Sequence, residues 1–372
     1  MTIVRRLLIA TALLVCLTVP AVSQAKPPGK PHGKPHGKPH KKKKHRVKPA
    51  PRSFYGVMGA SDPAPAEIAR MGAGRVGTLR INLVWGTVQP SAGAPYDWGH
   101  YDAIVGAAAQ QGIRVLFTVY SSPPWVASQS NYPPTGDFVG PFRDFVFAAA
   151  QRYGSSGAFW AGNPAIPKIP VIYWQLWNEM NSPSFWFDPP SPEQYVQLLQ
   201  VFSGGVKTGD RNAKVVVGGL FRTPQLPNSI PLTSYLPRIY KAGGKPFFDA
   251  VSVHPYANAP KDALRAVKQT RKIMNRFKDT KARLWITEIG WATGGNASPL
   301  TVTPDIQAAD LTRSYRLLAK TRKRLKLTGA IWYSWRDLPG LIWFNHTGLF
   351  DETLNPKPSW YAFVGLTGGS PG

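Results

Sequence analysis

From Ser53 onward, short apolar runs alternate with longer segments whose apolar residues recur at helical spacing. Eight runs read as strands: Phe54–Gly59, Val76–Asn82, Arg114–Tyr120, Val171–Trp177, Lys214–Gly219, Asp249–His254, Arg283–Thr287 and Ala330–Trp335. Several are almost continuous in large apolar side chains, as in Val171-Ile172-Tyr173-Trp174. Such runs suit strands buried on both faces, and therefore a parallel sheet under helical cover. Helices are expected at Tyr101–Gln111 and Phe142–Tyr153, each ending at a glycine, and at Lys261–Phe277 and Asp305–Lys326. Another opens at Ser191-Pro192-Glu193, which supplies an N-cap serine, a proline at the first helical position and an acid in the first turn. A further helix is expected around Glu67, after Asp62-Pro63.

Eight strands with helices between most of them predict a single α/β domain, a closed (β/α)8 TIM barrel spanning residues 53–372. An open doubly wound sheet is the alternative. It would carry a glycine-rich phosphate loop after its first strand, and Gly59-Ala60-Ser61-Asp62 is not one. The long stretch between the fourth and fifth strands and the loop from Ala292 to Pro304 read as insertions on the barrel rim.

The chain ahead of this pattern changes the picture in two ways. Residues 1–25 read as a signal peptide: Arg5 and Arg6, an apolar run from Leu7 to Val22, and a small-residue exit at Ser23-Gln24-Ala25. A secreted, extracellular or wall-associated protein is expected, with a retained N-terminal anchor as the alternative. Cys16, the one cysteine, falls in that segment, so the mature protein is expected to lack thiols, disulfides and zinc–thiolate sites. Residues 26–52 hold three Gly-Lys-Pro-His repeats, eleven Lys or Arg and no acid, the composition of a disordered basic linker. Such an arm attracts anionic cell-envelope polymers, or serves as a solvated spacer. Nucleic acid is not the expected partner, because no aromatics interleave the charges and no nucleic-acid module adjoins them. A monomer is expected.

The candidate chemistry comes from glutamate, of which residues 53–372 hold only five. Glu67, Glu193 and Glu352 sit in helix starts or a turn. Glu179 and Glu288 instead close buried apolar strands, after Val171–Asn178 and Leu284–Thr287. A carboxylate after such a run is costly unless it lies in a cleft with partners. In a barrel that cleft is formed by the C-terminal strand ends, and the fourth and seventh strands face each other across it. Two facing carboxylates are what glycoside hydrolysis needs, one to donate a proton and one to attack or stabilise the sugar cation. Arg80, ending the second strand, can hold one of them ionised. Asn178 can bond a sugar hydroxyl, Tyr256 can bond the nucleophile, and His254 can orient either acid. Tryptophans at strand ends or in following loops can stack on sugar faces. Trp125, Trp186, Trp291, Trp335 and Trp343 are the candidates, with Trp335 foremost for the sugar at the scissile bond. No second histidine stands at metal-ligand spacing.

Taken in order, these marks resemble a clan A glycoside hydrolase: Trp177-Asn178-Glu179, Ile286-Thr287-Glu288, Arg80, His254, Tyr256 and Trp335. Trp85 with Gln89-Pro90, and Gly348-Leu349-Phe350-Asp351 with Lys357-Pro358, add to the likeness. Within the clan the chain most resembles family 39, the xylosidase-, iduronidase- and exopolysaccharide hydrolase-like group, with family 5 cellulase-like enzymes second. Where the family 39 motif continues with proline, this chain has Met180-Asn181. The resemblance implies a retaining double displacement on an oligo- or polysaccharide, with Glu179 as acid/base, Glu288 as nucleophile, and neither metal nor organic cofactor. A non-catalytic carbohydrate-binding barrel, an envelope adhesin and a transglycosylase are the competing readings. The basic domain points to an acidic or envelope-associated polysaccharide as substrate.

Overall fold

The computed structural model describes residues 49–59, 61–186, 189–222 and 226–372. The expected signal peptide and most of the basic linker, at 1–48, lie outside them. Eight parallel strands close into a barrel in chain order. They are β1 (Tyr55–Met58), β2 (Thr78–Leu83), β3 (Arg114–Val119), β4 (Tyr173–Asn178), β5 (Lys214–Phe221), β6 (Ala250–His254), β7 (Arg283–Ile289) and β8 (Leu327–Tyr333). Closure is made by β1 on β8, with Gly56 opposite Ile331.

The covering helices are α1 (Pro65–Ala73), α2 (Trp85–Val88), α3 (Gly99–Gln110), α4 (Val139–Tyr153), α5 (Ala158–Gly162), α6 (Pro192–Gly209), α7 (Leu232–Lys241), α8 (Pro260–Arg276), α9 (Pro304–Leu325) and α10 (Pro358–Thr367). Their starts follow from local chemistry. Ser191 caps α6 by accepting from the Gln194 amide at 3.2 Å, and Thr303 caps α9 by accepting from Ile306 at 3.4 Å. Pro192 and Pro304 fill first-turn positions whose missing N–H has no helical partner to lose. Glu67 reaches back from α1 to accept from the Ala64 amide at 2.9 Å. None of the expected helices falls between β5 and β6, where α7 stands, and Pro237 inside it removes a backbone donor. Yet Leu232, Tyr235, Leu236, Ile239 and Tyr240 bury one stripe of α7 at helical spacing, and that burial outweighs the lost bond.

The barrel interior is closed by Met58, Leu116, Val216, Ala250, Trp285 and Ile331, contributed by different strands. Trp285 fills the floor because Gly329 leaves it room; a Cβ there would lie 2.3 Å from the ring. A larger apolar layer packs the outer strand faces against the helices, and Trp85, Trp174 and Trp177 belong to it. The floor leaves the other end of the barrel, at the C-terminal strand ends, open for a site.

β8 corrects an expectation. It ends at Tyr333, not Trp335. Trp335 lies beyond the strand and is 1% exposed, packed between Phe350 and Trp360. Its indole donates to Glu67 Oε1 at 3.0 Å. It therefore ties the end of β8 to α1 and presents no face to a sugar.

Candidate active site

β4 delivers Glu179 through strained backbone. Trp177 and Glu179 take left-handed conformations, with φ of 65° and 41°. Such residues persist only where surrounding contacts over-determine them, and they gather at functional sites. The contacts are visible: the Trp177 indole donates to the Phe185 carbonyl, and Asn181 donates to the carbonyls of Phe221 at 3.1 Å and Ile230 at 2.8 Å. The Met180-Asn181 departure from the family 39 pattern thus carries an asparagine that fastens the β4–α6 loop to the chain after β5.

Glu288 lies next to last in β7. Arg80, fully buried on β2, donates from Nη1 to Glu288 Oε1 and from Nη2 to Asn178 Oδ1, both at 2.6 Å. It also donates from Nε to Thr118 at 2.8 Å, so one guanidinium links β2, β3, β4 and β7. Tyr256 donates to Glu288 Oε2 at 3.0 Å. His254 sits between the two acids, with Nδ1 2.7 Å from Glu179 Oε1 and 3.4 Å from Glu288 Oε2. Its Nε2 is 3.0 Å from the Thr287 hydroxyl, which fixes the ring from the far side. Gly219 on β5 makes the space, since a Cβ there would fall 1.9 Å from His254 Nε2.

One oxygen of Glu179, one of Glu288 and a ring nitrogen of His254 lie within 4.8 Å of one another. Three such atoms are a geometric candidate for metal ligation. The donor set fits a cation poorly, because both Glu288 oxygens already accept protein hydrogen bonds and one of them faces a guanidinium.

The environments push the two acids apart. Burial raises the Glu179 carboxyl above its usual range; the hydrogen bond and charge of His254 oppose this, and the Glu288 charge adds to it. Burial alone would raise Glu288 as well. There the charges of His254 and Arg80, with hydrogen bonds from Arg80 and Tyr256, outweigh burial and hold the group below the usual range. Burial and the Glu288 charge keep Tyr256 protonated, well above the ordinary tyrosine value. Tyr120 is pushed up to about 12 by burial and the Glu179 charge.

Both acids open onto a cavity of about 370 Å³. Asn82, Asn178, Ser182 and Ser184 supply its polar lining, Tyr120, Tyr256 and Tyr333 its phenols, and Phe185, Phe221, Leu226, Trp343 and Phe344 an apolar rim. Of the expected residues, the fold brings together Glu179, Glu288, Arg80, Asn178, His254 and Tyr256. Of the five candidate tryptophans, only Trp343 lines the cavity, with its ring 5.6 Å from that of Tyr256. Trp291 is fully buried against Trp332. Trp186 is buried edge-on to Trp177. Trp125 packs edge-on to Trp85 and donates to the Gln89 carbonyl at 3.0 Å. These three, with Trp335, wall the loops and do not line the cavity. Sequence reasoning missed Tyr120 and Tyr333. Tyr120 is the residue just past β3, as Glu179 is just past β4, and Tyr333 ends β8, so the rule that found Glu179 also reaches them.

The fold is that of (β/α)8 glycoside hydrolases. A family 39 glycoside hydrolase from Bacteroides cellulosilyticus superposes with TM-score 0.64 at 21% identity, covering 86% of this chain and 65% of that one. This chain therefore spans about two thirds of that protein's length. A family 39 β-xylosidase from Caulobacter crescentus gives 0.61 at 18% identity, covering 87% and 73%. A family 5, subfamily 18 enzyme from Bifidobacterium longum, in complex with Manβ1-4GlcNAc, gives 0.60 at 16% identity, covering 84% and 78%. These are the two families the sequence resembles, in the same order. No family model matches the sequence, and no curated protein matches it.

Proposed function

We propose that the protein is a secreted, retaining O-glycosyl hydrolase acting on an oligo- or polysaccharide. One observation carries the reading: two carboxyls with opposite pKa displacements share one cavity, with oxygens within 4.8 Å. An approach this close between one oxygen of each acid is compatible with retention, which uses carboxyls about 5–5.5 Å apart.

The roles follow from the environments. Glu179 enters the reaction protonated and donates to the glycosidic oxygen. Glu288, ionised, attacks the anomeric carbon; that C–O bond forms as the bond to the leaving group breaks, giving a glycosyl ester on Glu288. Glu179, now a carboxylate, takes a proton from water, which attacks the same carbon and releases Glu288. Arg80 and Tyr256 hold Glu288 ionised and aimed. His254 steadies Glu179, and Asn178, anchored by Arg80, meets a hydroxyl of the bound sugar. Trp343 offers the stacking face first expected of Trp335. The chemistry requires no cofactor. Segment 26–48 acts as spacer or envelope anchor, so its deletion leaves turnover of soluble substrate intact; Arg52, expected in the linker, instead donates to the Val76 and Gln111 carbonyls and belongs to the barrel.

The test is a screen of aryl glycosides and polysaccharides with wild type beside Glu179→Ala and Glu288→Ala. Glu288→Ala is expected to abolish turnover on every active substrate. Glu179→Ala is expected to spare substrates with good leaving groups and to be partly rescued by azide. Full activity of Glu288→Ala on any substrate, or of Glu179→Ala on substrates with poor leaving groups, would refute the reading.

A further inference from the structure

The excess positive charge of the folded domain is concentrated in one sector. Residues 260–326 hold 16 lysines and arginines against five acids, while the rest of residues 53–372 hold 16 against 14. On α8, Lys261, Arg265, Lys268, Lys272 and Arg276 are all exposed and recur at steps of three and four. They form one stripe about 22 Å long, at 1.5 Å per residue. Like charges at this spacing repel and destabilise an isolated helix. Only Arg265 has a counter-charge, Asp262 at 2.9 Å; Lys268, Lys272 and Arg276 have none among the described residues.

Shallow surface depressions flank the stripe on both sides. Lys268 and Lys272 line two surface grooves of about 370 and 380 Å³, one reaching Thr233 on α7 and the other reaching Arg324 at the end of α9. No aromatic side chain lines either groove among the described residues. Cations without stacking faces suit a ligand recognised by its acidic groups and not by its bases. The helix opens at Pro260, four residues after Tyr256, so the stripe starts from the barrel end that carries the cavity. Among the described residues, no lysine or arginine lines the cavity itself.

We propose that the α8 stripe with Arg324 binds an acidic polysaccharide, a glycan bearing regularly spaced carboxylate or phosphate groups, while the catalytic cavity takes an uncharged sugar. The choice of a glycan over other polyanions rests on the hydrolase reading; the binding itself does not. A polymer with acidic and neutral residues would then be held along α8 and cut at its neutral ones.

The experiment compares the full chain with Lys268→Gln/Lys272→Gln/Arg276→Gln/Arg324→Gln. A charge-matched control, Arg114→Gln/Lys168→Gln/Arg211→Gln/Lys241→Gln, carries substitutions at exposed positions elsewhere. Binding of labelled polygalacturonate, phosphomannan, neutral xylan and a single-stranded 20-nucleotide DNA is measured across salt concentrations. The stripe variant is expected to bind at least one acidic glycan about tenfold or more weakly, with a shallower salt dependence, and the control to change by less than about twofold. Xylan binding is expected to be the same in all three proteins. Equal losses in stripe variant and control, no binding of either acidic glycan, or tighter stripe-dependent binding of DNA would overturn the proposal. Turnover of the best aryl glycoside is read in parallel. Its absence with glycan binding intact would sink the hydrolase reading and leave the stripe site standing.

Discussion

The barrel mouth and the outer face of α8 handle charge in opposite ways. At the mouth, Glu288, Arg80, His254 and Glu179 are all largely or fully removed from water, and each has a partner within 3 Å. Along the outer stripe of α8 the cations stay in water, and Lys268, Lys272 and Arg276 have no counter-charge among the described residues. The difference is enforced by solvation. A charge stripped of water must be paired or neutralised, and the pairing sets its protonation. A hydrated charge is cheap to leave unpaired and acts through a field that falls off within a Debye length. On the proposed reading the mouth serves bond chemistry and α8 attraction, and substitutions should separate them.

The largest effect is expected from Glu288→Gln, with kcat/KM on aryl glycosides falling by about 10⁴-fold or more. Folding, followed by thermal melting, should be retained. Next is Arg80→Met, which leaves Glu288 buried without its cation. Breaking a buried pair costs about 3–5 kcal/mol, read as a lowered urea midpoint. Where the variant still folds, the acid limb of its kcat/KM profile should move to higher pH, because the group that must be ionised has lost what kept it so. The alkaline limb belongs to Glu179. Its proton is held above the usual carboxyl range and must be present for activity, so activity falls as pH rises through that value. Glu179→Gln should erase this limb.

Gly219→Ala comes third. Its Cβ would displace the His254 ring and break the 2.7 Å contact to Glu179. An overpacking cost of about 1–3 kcal/mol is expected, together with a shifted alkaline limb that a purely structural fault would not move. Fourth, Trp335→Phe should lower stability by about 1–3 kcal/mol through the lost bond to Glu67 and leave KM unchanged, whereas Trp343→Ala should raise KM. The smallest effect is that of Lys272→Gln on folding, within about 0.5 kcal/mol, with turnover of small substrates unaltered.

Sequence pattern reached the barrel and the two acids at its mouth for a shared reason. Buried parallel strands must be apolar throughout, so Glu179 and Glu288 stand out where those runs end. The same logic placed Arg80, Asn178, His254 and Tyr256. It failed for tryptophan, because an indole suits a buried wall as well as a sugar platform. Only tertiary packing tells Trp343 at the rim from Trp335 against Phe350 and Trp360. α7 was not among the expected helices, and the local penalty of its Pro237 is outweighed by burial that no local rule sees. Gly219 leaves no mark in the sequence, since its function is the space it yields to a ring 35 positions away. The α8 charges were legible as composition. Their alignment into one grooved face emerged only once the helix and its neighbours were placed.

The central claim is that Glu288 attacks the sugar and Glu179 manages the proton. Proton NMR of the first-formed reducing sugar, followed before mutarotation on the best substrate found by screening, tests it most directly. The account predicts product with the substrate's own anomeric configuration. Product of the opposite configuration would contradict it.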